Sequence, residues 1–271
     1  MAEVMARGVR FHVQRLGGGE ETVVFLHGLV MDNLSSWYFT MGNRVARFAD
    51  VVLFDLRGHG RSERPPCGYR ISDMVADLAA LLDALGVTRP VHLVGNSFGG
   101  LLAVAFSMAH PERTASLFLV DAHLNDRDWG DQMVKTLGLE GGERDLKIAQ
   151  HFQSWLGRHS TRKRNRLARM AQALVSETSL VDNLKASPVF NDAHLVRVAC
   201  PVLALYGAES DSRSRGERLA RLLPNCELRL LPECTHSVLW EATQELCNQG
   251  VDWLSRQMKS GLMASPGRSN E

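Results

Sequence analysis

Val91-His-Leu-Val-Gly-Asn-Ser-Phe-Gly-Gly100 decides how this chain is read. An apolar run enters Gly95, then Gly95-Asn96-Ser97-Phe98-Gly99 fits G-x-S-x-G, and an Ala/Leu-rich segment from Leu101 to Ala109 follows. That is a strand, a very tight turn and a helix. The turn forces its serine into a strained backbone conformation, and glycines flank it because side chains would collide there. The hydroxyl then stands at a helix N-terminus, where free N–H groups and the helix dipole favour developing negative charge. Without its context the motif is an ordinary strand-to-helix turn, since glycine and serine are common. The strand before it and the helix after it give it weight.

Upstream, Arg10 to Arg15 reads as an opening strand and Thr22 to Leu26 as a buried one. The second runs into His27-Gly28-Leu29, where a glycine lets backbone approach a reacting carbonyl. The N–H of Leu29, with that of Phe98 behind the serine, is placed to donate to an oxyanion. His27 is expected to be a structural hydrogen-bonder at the strand end. Val51 to Asp55 is the next strand, followed by the tight loop Leu56-Arg-Gly-His-Gly-Arg-Ser62. A helix is expected from Ser72 to Leu85, with Ser72 as its cap and Gly86 as its stop.

Downstream, Thr114 to Asp121 is another buried strand ending in an acid. From about Leu124 to Leu195 strand signals vanish and amphipathic helical segments take over, at Trp129–Leu137, Asp145–Leu156 and Lys163–Val175. This stretch reads as a helical insertion covering the site, with Trp129 and Trp155 as candidate substrate-binding residues. The sheet resumes at Pro201–Tyr206, a helix follows from Arg213 to Leu223, and a last strand, Glu227–Leu231, leads to Thr235-His236. A closing helix spans Ala242 to about Met258, and a Gly/Ser/Pro-bearing tail from Ser260 is expected to be disordered. Strands alternating with helices argue a mainly parallel sheet with its chemistry at the strands' C-terminal ends. Ser97, Asp211 and His236 all fall there, in the order nucleophile, acid, histidine.

Composition narrows the function. The 271 residues suffice for one large domain, and a formal net charge of +1 gives no reason to expect nucleic acid or an anionic membrane as partner. Five scattered cysteines without C-x-x-C read as free thiols in a reducing compartment, not as a zinc site. No run approaches a membrane span, and the N-terminus lacks an apolar signal core, so a cytoplasmic protein is expected. There is no G-x-G-x-x-G after a strand and no Walker-type lysine, so no cofactor and no metal are expected.

With these residues in view, the sequence resembles the α/β-hydrolase superfamily. The resemblance is carried by His27-Gly28-Leu29, Asp55-Leu-Arg-Gly-His-Gly-Arg-Ser62, Gly95-Asn-Ser-Phe-Gly-Gly100 and Thr235-His236. It implies an α/β fold with a mainly parallel central sheet, helices on both faces and a helical lid inserted after the sixth strand. On that pattern residues 1–123 and 196–259 form the core, 124–195 the lid and 260–271 the tail. It implies a serine hydrolase with Ser97 as nucleophile and His236 as base. Serine at 97 argues against the aspartate-nucleophile dehalogenases and epoxide hydrolases of the family. The acid departs from the pattern, which puts it three residues after the glycine ending its strand. Counted from Gly207 that position is Ser210, flanked by Glu209 and Asp211. Asp211 is the first candidate, Asp121 the alternative used in some branches, Glu209 the third.

Three functions stay open. One is a hydrolase of a small acyl substrate, an ester or a carbon–carbon bond beside a ketone, since Gly-Asn-Ser-Phe-Gly-Gly resembles the elbows of meta-cleavage-product hydrolases. Another is a thioesterase or acyltransferase on an acyl carrier protein, steered by the basic run Arg158 to Arg169, which is otherwise a solvated helix face. The third is a non-hydrolytic ligand-binding member of the fold.

Overall fold

The computed structural model describes residues 2–126, 135 and 161–264. Eight strands form one sheet: β1 Ala2–Ala6, β2 Val9–Gly17, β3 Thr22–Leu26, β4 Asp50–Phe54, β5 Val91–Asn96, β6 Thr114–Val120, β7 Val202–Gly207 and β8 Cys226–Leu231. Their spatial order is β1-β2-β4-β3-β5-β6-β7-β8. β1 with β2, and β2 with β4, pair antiparallel, and every later pair is parallel. β3 and β4, apolar after their first residues Thr22 and Asp50, are buried along their whole length, as a sheet covered on both faces requires.

The helices are α1 Ile71–Ala84, α2 Phe98–Ala109, α3 Thr161–Ser176, α4 Leu180–Lys185, α5 Asp192–Leu195, α6 Arg213–Leu222, α7 Val238–Glu241 and α8 Thr243–Ala264, with a short helical run over residues 35–45. One sheet face is covered by α1, α2 and α6 through Leu78, Leu81, Leu101 and Leu219. The other is covered by residues 35–45 and α8 through Trp37, Met41, Leu246 and Trp253. Three helices, α3 to α5, stand between β6 and β7 in the chain, where the insertion was expected. The expected helices at Trp129–Leu137 and Asp145–Leu156 lie almost wholly outside the described residues.

Some boundaries differ from the sequence reading, each for a local reason. The strand β1 has no counterpart in it, because a five-residue segment with one open face carries little pattern. α1 begins at Ile71, not Ser72: the Arg70 N–H donates to the Asp73 carboxylate at 3.2 Å, so Asp73 rather than Ser72 supplies the cap. α2 begins directly after Ser97 instead of at Leu101, and α8 runs to Ala264, past the expected stop at Met258. Among the described residues no helix is long and apolar enough to cross a membrane.

Candidate active site

The parallel strands deliver their C-terminal ends to one edge, and the candidate residues meet there. Ser97 follows β5 with φ +53° and ψ −119°, a conformation side chains rarely adopt, and α2 starts at the next residue. Gly99 permits the turn: a Cβ there would strike the carbonyls of Leu26, at the end of β3, and of His27 just after it. The Ser97 hydroxyl lies 3.0 Å from His236 Nε2, and His236 Nδ1 lies 2.9 Å from Asp121 Oδ1.

The acid is thus a correction. Asp211 was expected against the imidazole; its side chain is exposed and accepts only a long contact, 3.4 Å, from the Ser212 hydroxyl. Asp121, 1 % exposed at the end of β6, takes the place instead. The reason lies in the loop that carries His236. It leaves β8 and crosses β7 to stand over β6. Gly207 makes that crossing possible, because a Cβ there would collide with the carbonyls of Cys234 and Thr235. The Glu209 N–H donates to the Cys234 carbonyl at 3.0 Å and pins the loop in that position, leaving the Glu209 side chain exposed.

Asp121 is held by more than the histidine. Its Oδ2 accepts the Gly207 N–H at 2.8 Å, and its Oδ1 also accepts the Ser210 hydroxyl at 2.6 Å. Ser210, the residue at the family's usual acid position, in turn accepts the Ser212 N–H at 3.0 Å. Three donors thus hold the carboxylate in place. Burial pulls the His236 pKa down, but the Asp121 hydrogen bond and charge, aided by the more distant Asp211, carry it above its ordinary value of 6.5. A second imidazole, His123, stacks on His236 with centroids 4.7 Å apart. Nothing in sequence spacing announced that pair, although His123 stands two residues from Asp121.

The loop after β3 is braced from below. His27 is fully buried; its Nε2 accepts the Leu56 N–H at 2.9 Å, so its Nδ1 carries the proton donated to the Gly28 carbonyl at 2.7 Å. His59 does the same one step on, accepting the Val30 N–H at 2.8 Å and donating to the Arg57 carbonyl at 2.8 Å. Burial lowers both rings, His27 to about 4 and His59 to about 3, which keeps them neutral acceptors. Asp32 completes the brace by accepting the Gly28 N–H at 2.8 Å and the Ser36 hydroxyl. Its pKa is raised by burial, against those hydrogen bonds and one from Asn96.

Among the described residues the Leu29 N–H meets no acceptor, leaving it available to an incoming oxygen. The cavity beside Ser97 is narrow, about 20 Å³, and is lined by Gly28, Asn96, Val120, Ser237, Leu239 and Trp240. Asn96 Oδ1 is buried there without a hydrogen-bond partner. Trp240 is the aromatic that the sequence reading missed; Trp129 and Trp155, expected in its role, lie outside the described residues. So do the side chains of residues 158–165, the greater part of the basic run.

Comparison with known proteins assigns the family. The model of the family described as the alpha/beta hydrolase fold matches residues 21–243. A 2-hydroxy-6-oxononadienedioate/2-hydroxy-6-oxononatrienedioate hydrolase of Paraburkholderia phymatum is 31% identical over 268 residues, covering 92% of each chain. Among solved structures, a meta-cleavage product hydrolase from Pseudomonas fluorescens superposes with a TM-score of 0.76 at 21% identity, covering 94% of this chain and 98% of that one. The enol-lactonase from Burkholderia xenovorans gives 0.75 at 19% identity, covering 94% and 100%. Those two likenesses bear on the fold alone, whereas the family model and the curated relative span most of the sequence: this chain is a hydrolase and belongs to the α/β-hydrolase family.

Proposed function

We propose that the protein hydrolyses an acyl bond of a small molecule through Ser97, His236 and Asp121, and that the bond is a carbon–carbon bond beside a ketone. The observation that carries the catalytic part is the continuous relay from the Ser97 hydroxyl through both nitrogens of His236 to Asp121, at 3.0 and 2.9 Å. A serine hydroxyl is a poor nucleophile at neutral pH, so the imidazole must take its proton as attack proceeds. Asp121 holds the proton on Nδ1, which leaves Nε2 basic, and then stabilises the imidazolium. The Leu29 and Phe98 N–H groups receive the charge that develops on the carbonyl oxygen. His236 next returns its proton to the leaving carbon or oxygen, and water repeats the sequence on the acyl-enzyme.

The choice of bond rests on the relative from Paraburkholderia phymatum, named for a vinylogous keto-acid substrate, which aligns along nearly the whole chain. An ester would use the same residues, and Asp121 at the end of β6 does not select between them. A carrier-protein partner gains no support from this relative. The test is a panel of a 2-hydroxy-6-oxo-dienoate, a nitrophenyl ester and an acyl thioester, run with the unaltered protein and with Ser97→Ala. We expect the highest kcat/KM on the dienoate and a loss on the order of a millionfold in kcat for the alanine variant. Wild-type turnover by Ser97→Ala overturns the serine mechanism; preference for the ester moves the assignment to an esterase.

A further inference from the structure

Two hydrogen bonds fix the His236 imidazole along a line but do not fix its plane. Ser97 meets the ring at Nε2 and Asp121 meets it at Nδ1. The ring can still rock about the axis through those two nitrogens. On a five-membered ring neither the Nδ1–H direction nor the Nε2 lone pair lies along that axis. Rocking therefore swings both out of line together, and a hydrogen bond weakens steeply as its angle closes. Only a contact on the ring's face opposes that motion directly.

His123 supplies such a contact. Its ring lies over that of His236, with centroids 4.7 Å apart and planes inclined by 26°. The platform is itself held. His123 is only 9 % exposed, and its Nδ1 lies 3.3 Å from the Ser212 hydroxyl oxygen. Its backbone N–H donates to the Ser97 carbonyl at 3.1 Å, which ties the residue under the base to the backbone of the nucleophile. Just before it, the Ala122 carbonyl accepts the hydroxyl of the fully buried Tyr206 at 2.8 Å. Ser212 also donates its N–H to Ser210, which holds Asp121. A single residue thus connects with the nucleophile, the base and the support of the acid.

We infer that His123 is a positioning residue for the reaction: its ring sets the plane of His236 and so keeps Nε2 aimed at Ser97 and Nδ1 at Asp121 while the proton moves. The inference rests on the serine mechanism proposed above. Asp121, Asp211 and Arg215 are the charged groups that act on His236, and Arg215 is itself paired with Asp126. The substitutions used to test the platform leave all four in place.

The test compares His123→Phe, which keeps a flat ring, with His123→Leu, which keeps bulk without one. Both remove the imidazole nitrogens, so their difference isolates the flat face. The readout is the rate, per folded protein, at which a fluorophosphonate labels Ser97, a reaction that needs the relay but not the natural substrate. His123→Leu should label roughly ten- to a hundredfold more slowly, the scale of a slightly misplaced catalytic group, and His123→Phe within about threefold of the unaltered protein. On a turned-over substrate the loss should fall in kcat and leave KM nearly unchanged. A leucine variant as fast as the unaltered protein, or a phenylalanine variant as slow as the leucine one, overturns the inference. No labelling of Ser97 in the unaltered protein would instead sink the serine mechanism, and this inference with it. Should the variants fail to fold, NMR of the unaltered protein with labelled histidines decides: a nuclear Overhauser effect between the two rings and upfield-shifted His236 ring protons are expected, and the absence of both overturns the platform.

Discussion

Asp121 leaves β6 with φ +43°, and that turn aims its carboxylate along the sheet edge toward β7 instead of out into solvent. The conformation is unusual for a non-glycine residue and is held by three donors: His236, Ser210 and the Gly207 backbone. An amide in its place keeps the shape but favours the wrong imidazole tautomer, which costs about ten-thousandfold in a serine protease. Asp121→Asn is therefore expected to lower kcat by three to four orders of magnitude (~10³–10⁴) with a small change in KM. Asp211→Asn removes only a distant charge, so kcat should stay within about threefold of wild type, while the kinetic pKa of His236 falls slightly. Single-turnover kinetics across pH separates the two; a dead Asp211 variant beside an active Asp121 variant reverses the assignment.

At the scale of elements, the active edge is a junction of three tight passages: the turn into α2, the loop after β3 under it, and the return from β8 over Gly207. Gly99 belongs to the first two at once, since its missing side chain is what lets α2 start against the Leu26 and His27 carbonyls. Gly99→Ala should cost about 1–3 kcal/mol, the range for forced overpacking, and lower the melting temperature by several degrees. It should also lower kcat more than it changes KM, because the Leu29 donor moves with the loop. A variant with wild-type melting and kcat would show that the turn has slack.

These passages also explain what the sequence could and could not tell. Strands with unbroken apolar runs, such as Thr22–Leu26 and Val91–Asn96, and the elbow between Gly95 and Gly99 are legible because local chemistry alone demands them. The nucleophile and the histidine follow, being tied to strand ends. The acid does not: which carboxylate meets the imidazole depends on how a loop after β8 leans over β7, a long-range relation that no spacing encodes. The stacking of His123 on His236 and the place of Trp240 were hidden for the same reason. β1 and the Asp73 cap were missed on a smaller scale, where one or two residues carry the signal.

At the scale of the whole molecule, three imidazoles among the described residues are buried with lowered pKa values. Burial lowers His27 to about 4, His59 to about 3 and His92 to about 4, from an ordinary value of 6.5. Each is uncharged in the fold at pH values where the unfolded chain binds a proton. Each therefore adds stability above pH 6.5 that is withdrawn as pH falls toward 4. Asp32 and Asp55, raised by burial from their ordinary 3.8, act in the opposite sense above that value. His92 is the cleanest of the three to test, since it bonds Ser116 at 2.7 Å between β5 and β6 and does not brace the loop after β3. His92→Gln should flatten the dependence of the urea midpoint on pH between 6.5 and 4. A variant curve parallel to that of the unaltered protein would mean that this ring titrates alike in both states.

The hydrogen bond from Ser210 to Asp121 has an evolutionary corollary. The Ser210 hydroxyl, after β7, and the His236 ring share one oxygen of Asp121 at the end of β6, so position 210 lies beside the acid's contact with the imidazole. A lineage could pass the acid from one position to the other without losing the histidine's anchor, because an intermediate with a carboxylate at both sites still holds the ring. The exchange Asp121→Ser with Ser210→Asp retraces that path. Its kcat should exceed that of Asp121→Ser alone by at least about tenfold, one decade of the roughly four that the acid is worth. An exchange no better than the single variant would mean that a carboxylate at position 210 does not reach the imidazole in this fold.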